Sequence, residues 1–186
     1  MTQAIDQRYL SELCQEFPGL RCVDKAGDPL SRIIDLGLRV LTLGGQDRYL
    51  SRYVTTIGRT LYFPSDWAGR SPESRYVTLR HEAVHLRQFR RFGRIGTAFL
   101  YLVPLLPLGL AWGRARLEWE AYAETLRATA EVLGAEAARD PALHAHIVAQ
   151  FTGPSYGWMW PFPRRVRDWI AGTLREMGLE SGSHED

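Results

Sequence analysis

Hydrophobic and polar positions recur along this chain with two different periods. Residues 5 to 17 carry apolar positions at helical spacing until Pro18, and a second helix is expected from about Pro29 to Leu43, ended by Gly44 and Gly45. The pattern then changes. "RYVTTIGRTLYFP", residues 52 to 64, is rich in β-branched and aromatic residues, has Gly58 where a turn would fall, and ends at Pro64. It reads as strand. "SDWAGRSPESR" follows as a loop punctuated by Gly and Pro. Helical spacing returns from about Pro72 to Phe92, from about Arg114 to Leu133, near 140 to 151, and from about 164 to 177. The sum is an α+β chain, mostly helical, with a small sheet or hairpin ahead of the 72–92 helix.

Composition adds little to that picture and excludes some readings. A length of 186 residues suits one domain, 1–186, with a buried core, and only the tail "ESGSHED", 180–186, has a disordered composition. At 45% hydrophobic and 24% charged residues, with net charge +2, nothing global points to nucleic acid. Lys25 is the one lysine, so the positive charge is almost all arginine, which suggests a bacterial, GC-rich genome more than a function. Two cysteines, Cys14 and Cys22, make no disulfide framework, and "MTQAIDQRYLSELCQEF" has no apolar signal region. A reducing cytoplasm is the expectation. No internal repeat is visible.

Candidate chemistry is concentrated in "TLRHEAVHLRQF", residues 78 to 89. Residues four apart on a helix lie about 40° apart around its axis and one turn along it. His81 and His85 therefore project from one face and can share a metal ion. Glu82 lies about 100° round from His81, too far to join easily as a ligand, yet close enough to act as base on a water at the metal's open side. Five histidines and twelve glutamates in random order would produce this spacing about 0.01 times per chain, so coincidence is a weak competitor. The face with both histidines also carries Val77, Thr78, Gln88, Phe89 and Phe92 and is expected to pack inward, with Arg80, Arg87, Arg90 and Arg91 elsewhere. Two buried imidazoles without a metal would need other polar partners.

A third ligand should come from another helix. In "RARLEWEAYAETLR", residues 114 to 127, an apolar arc runs through Leu117, Ala121, Tyr122, Thr125, Leu126, Ala128, Val132 and Leu133. Glu118 lies near the middle of that arc, where a carboxylate is costly unless it is paired or binds a cation. It is the preferred ligand, against the alternative of a buried salt bridge to an arginine. Glu120 and Glu124 fall on the opposite face with Arg127 and Glu131, and Glu120 is the fallback ligand.

With these blocks in place, the chain resembles the gluzincin branch of the zincin metallopeptidases, and more narrowly bacterial zincin-like proteins with the same histidine–glutamate motif. "HEAVHLRQ" and "LEWEAYAE" carry the likeness, and "YVTTIGRTLYFP" looks like the edge strand that precedes the active-site helix in such folds. The resemblance implies a zinc peptidase acting on a peptide or protein, with His81, His85 and Glu118 as Zn2+ ligands and Glu82 as general base. It implies a zincin-like fold, with the strand near 59 to 63 aligning substrate by strand addition. Many gluzincins have an acidic residue four after the ligand glutamate. Here that position is Tyr122, whereas counting from Glu120 reaches Glu124.

Two segments stand apart. "IGTAFLYLVPLLPLGLAWG", residues 95 to 113, has 19 residues without a charge, flanked by Arg90, Arg91 and Arg94 and by Arg114 and Arg116. Its length would allow a membrane span, but one crossing would separate Glu118 from the histidines, and Pro104, Pro107 and Gly109 break a helix. An apolar hairpin in the core or substrate cleft is expected, with peripheral contact to the inner membrane as the second reading. That second reading also fits a non-catalytic zincin-like scaffold that binds a partner or membrane. "GPSYGWMWPF", residues 153 to 162, reads mainly as an aromatic packing plug, with Tyr156 as a candidate donor to the oxyanion of a tetrahedral intermediate. His144 and His146, two apart, fall on different sides of a helix and are expected to be exposed.

Overall fold

The computed structural model describes residues 3–25, 54–102, 111–153 and 159–179. The helix expected over 29–43, residues 103–110 of the expected apolar hairpin, the catalytic candidate Tyr156 and the tail 180–186 lie outside these residues.

Helix α1, Ile5–Glu16, ends where Pro18 forbids continuation, with the Phe17 amide closing on the Leu13 carbonyl at 2.8 Å. Strand β1, Arg21–Asp24, follows. The β-rich stretch folds as a hairpin of β2, Thr55–Ile57, and β3, Thr60–Phe63, in which Ile57 faces Thr60. Gly58 and Arg59 are thus the two turn residues, and Gly58 has φ of 62°, the positive value that tight hairpin turns require and glycine supplies without strain. β1 pairs in parallel with β3, so the sheet order is β1-β3-β2. This corrects the expectation for residues 59 to 63. β3 is the central strand, paired on both sides, and the edge nearest the next helix is β2.

Helix α2, Pro72–Leu102, starts at a proline, whose missing N–H costs nothing in the first turn. It runs beyond the expected end at Phe92, but Gly93 (φ 70°, ψ 173°) breaks its path into two helical segments. Helix α3, Trp112–Leu133, returns alongside and begins two residues earlier than expected. Gly113 permits the approach. A Cβ there would lie 2.8 Å from the Leu100 carbonyl oxygen. At the far end Gly134 (φ 91°) turns the chain into a short helix, α4, Ala135–Arg139, which the sequence pattern did not suggest. Helix α5, Pro141–Thr152, is capped by Asp140, whose side chain accepts from the Ala142 amide, and α6, Pro163–Glu176, completes the described chain.

Two apolar clusters flank the α2–α3 pair. Leu13, Phe17 and Leu61 pack with Leu79, Ala83 and Leu86 of α2. Tyr122 and Leu126 of α3 pack with Ala138, Ile147, Phe151, Met159, Val166 and Ile170. The expected aromatic plug is seen in part, as Met159 is buried and Trp160 stacks on Trp169 at 5.9 Å between centroids.

Several side chains depart from their expected faces. Phe92 is exposed at the bend made by Gly93, and Leu133 is exposed at the last residue of α3. Arg80 turns into the α2–α3 seam, where its Nε donates to Glu124 (2.7 Å) and Nη1 to Glu131 (2.7 Å). Those two carboxylates therefore bind an arginine on the neighbouring helix instead of forming a purely solvated face. His144 is half-buried and its Nε2 lies 2.8 Å from the Ala138 carbonyl, while His146 is exposed as expected.

Candidate metal centre

α2 and α3 cross so that one face of each supplies the site. His81 and His85, one turn apart on α2, bring their Nε2 atoms to 3.3 Å from each other. Glu118 of α3 projects between them, its Oε2 3.9 Å from His81 Nε2 and 3.8 Å from His85 Nε2. Among the described residues this trio is the one group of three or more potential ligands close enough to share an ion. Glu120, the fallback, is not in it. Its Oε2 instead accepts from Gln88 Nε2 at 3.0 Å, and Arg116 lies 3.6 Å away.

The polar partners around the histidines decide which ring nitrogen carries the proton. Gln88 Nε2 donates to the Leu117 carbonyl and to Glu120, both acceptors only, so Gln88 must present its carbonyl oxygen to His85 Nδ1, 2.9 Å away. His85 Nδ1 is then the donor, which in the neutral ring leaves the lone pair on Nε2. Thr125 Oγ1 donates to the Ala121 carbonyl at 3.2 Å and so accepts from His81 Nδ1 at 3.0 Å. This leaves the second Nε2 unprotonated as well. The proton on one nitrogen and the lone pair on the other is the arrangement a ligating histidine needs. Tyr122 adds an edge-on ring contact to His81, with centroids 4.8 Å apart.

Two imidazole lone pairs and a carboxylate therefore converge in a nearly dry place, with Glu118 only 1% exposed. Burial, and next the neighbouring His85, push the His81 pKa well below its ordinary value, so its ring stays neutral. Burial raises the Glu118 carboxyl to about 7, with His85 lowering it and Glu82 raising it. Such a cluster is electrostatically poor without a positive charge at its centre, either a proton or a cation. Two nitrogens bound to one tetrahedral zinc at about 2.0–2.1 Å would stand about 3.3 Å apart, which matches the observed nitrogen separation. The donor set fits zinc.

Glu82 is buried on the sheet side, and its Oε2 accepts from Thr56 Oγ1 of β2 at 2.6 Å. The hairpin thus fixes the carboxylate beside the histidines. Sequence reasoning missed Thr56 and the roles of Thr125 and Gln88. Thr125 was legible in principle, since it stands seven residues, or two turns, after Glu118 and so shares its face. Thr56 had no such signal, because strand pairing and not spacing brings it to Glu82. No family model, no curated protein and no solved structure matches this chain.

Proposed function

We propose that this protein is a zinc-dependent hydrolase of zincin type, acting on peptide bonds. The observation that carries this reading is the convergence of His81, His85 and Glu118 from two successive helices, with each imidazole's Nδ1 already engaged on its outer side. Three protein donors, counted among the described residues, match the ligand number of catalytic zinc; structural zinc takes four. The order of strand, histidine helix and glutamate helix also agrees with the zincin resemblance.

His81, His85 and Glu118 would hold the ion, and Gln88 and Thr125 would orient the two rings. Bound there, zinc supplies Lewis acidity that polarises a carbonyl and eases deprotonation of water. Glu82 supplies the base. Thr56 occupies its Oε2, which leaves Oε1 to accept a proton from water and return it to the departing amine. An extended substrate would lie along β2, the edge strand that already touches Glu82, and not along the enclosed β3.

Elemental analysis of purified protein should find about one zinc per chain, and His85→Ala should lose it. Glu82→Gln should keep the metal while cleavage of a fluorogenic peptide library falls by at least about 100-fold. A protein that takes up no zinc, or a Glu82→Gln variant that cleaves at the wild-type rate, would end this reading.

A further inference from the structure

The end of the molecule beyond Gly93 exposes apolar side chains that the proposed chemistry does not use. Ile95 is 88% exposed and Phe99 64%. They are four residues apart in the second segment of α2 and so share one helical face. Trp112, the first residue of α3, is 54% exposed, and Phe92, at the bend, is 38% exposed. The close contact of Gly113 with Leu100 puts Trp112 and Phe99 on the two helices, α3 and α2, that meet at this end. Arg116 joins Trp112 in lining a shallow groove of about 220 Å³. Arg91 lies with its guanidinium 5.0 Å from the centre of the Phe92 ring. Four large apolar groups clustered at one end are more than the isolated exposed residue that surfaces normally carry.

Charge identifies the occupant. Between Glu82 and Glu118 the sequence contains six arginines and not one acidic residue. Some of these arginines are satisfied within the protein, such as Arg87, which pairs with Glu16 at 2.7 Å. Arg91 is exposed, and Arg116, 59% exposed, lies 3.6 Å from Glu120 and lines the groove with Trp112. A second copy of the chain would bring like charges together across a two-fold interface. An anionic bilayer surface accepts both features at once, with apolar and tryptophan side chains at the acyl boundary and arginines among the phosphates. Among the described residues no helix is long and apolar enough to cross a membrane, and Glu118 of α3 lies within 4 Å of both histidines of α2. We propose that Phe92, Ile95, Phe99 and Trp112, rimmed by Arg91 and Arg116, dock this protein on an anionic membrane surface. His85 is seven residues before Phe92 on a continuous helix, so docking would hold the metal centre about 10 Å from the contact.

Co-sedimentation with vesicles tests this directly. The full chain should partition onto phosphatidylcholine vesicles containing 30 mol% phosphatidylglycerol at least tenfold more strongly than onto pure phosphatidylcholine, and 0.5 M NaCl should weaken that binding. The doubly substituted Ile95→Asp, Phe99→Asp protein, checked by circular dichroism to be folded, should bind at least tenfold less. Arg91→Glu with Arg116→Glu should abolish the preference for phosphatidylglycerol. Wild-type protein left in the supernatant with anionic vesicles would overturn the proposal. So would binding by both variants equal to that of wild type, or a wild-type dimer by light scattering that the Asp substitutions convert to monomer without any vesicle binding. None of these readouts depends on zinc or catalysis, so the membrane surface and the hydrolase reading stand or fall separately.

Discussion

If the cluster binds zinc as proposed, Glu118 sets an acid limit on that binding. Its carboxyl, raised to about 7 by burial, binds a metal only when ionised, so below that pH a proton competes for the same oxygen. The His81 ring, held well below its ordinary pKa, is already neutral in this range and adds no competition. From the Glu118 carboxyl alone, zinc affinity should therefore be at least roughly tenfold weaker at pH 6 than at pH 8. Competition with a chromophoric chelator would measure it. In Glu118→Gln the overall affinity should fall and the step between pH 8 and pH 6 should shrink. An unchanged step would mean that another group owns it. The three residues of the cluster were legible in the sequence because spacing alone put His81 and His85 on one face and Glu118 on an apolar stripe. Their hydrogen-bonding partners were not, since Gln88 reaches the Leu117 carbonyl and Glu120 only once α2 and α3 have docked.

At the level of elements, the α2–α3 crossing depends on close approach near Gly113. A valine there would set Cβ 2.8 Å from a backbone oxygen and about as close to the Leu100 side chain, and backbone cannot step aside cheaply. The helix-propensity gain over glycine is worth only a few tenths of a kcal/mol. Overpacking costs about 1–3 kcal/mol. Gly113→Val should thus lower the free energy of unfolding by about 1–3 kcal/mol, read from the urea midpoint. A gain in stability would show that the helix ends are free to separate. Punctuation made most boundaries readable: Pro18 ended α1, Gly58 made the hairpin, and Pro72 began α2. The chain gave no warning that α2 resumes past Gly93. A glycine with helical neighbours on both sides is equally compatible with a stop or a break. Nor did it show that β3 would be enclosed by β1, because pairing between strands so far apart in sequence leaves no local trace. Arg80 looked like a solvated residue by periodicity, and only the neighbouring helix supplied Glu124 and Glu131.

For the whole molecule, the His81, His85 and Glu118 cluster lies between two apolar clusters, one built on Leu79, Ala83 and Leu86 and the other on Tyr122, Leu126 and Phe151. Binding at that seam should tie the halves together, but the metal-free protein must carry a buried carboxylate there. Its folded pKa of about 7 exceeds the ordinary 4.5, so the folded state keeps a proton that the unfolded chain releases. Stability from this group is therefore greatest at low pH and is lost as pH rises from about 4.5 to 7, a total of roughly 3 kcal/mol. His81 shifts in the opposite sense, but its contribution is complete once the unfolded ring is neutral, so at pH 8 the Glu118 cost remains. Two melting curves at pH 8 should then cross over. In chelator, Glu118→Gln should melt above wild type, by up to about 6–12 °C for that energy in a chain of this size. With zinc at a hundred times its dissociation constant, wild type should gain about 2.7 kcal/mol and the variant much less. Stability given up by the empty site and recovered on loading is the signature expected of a residue kept for its ligand. If the metal-free variant is no more stable than wild type, Glu118 is serving the fold and not the ion.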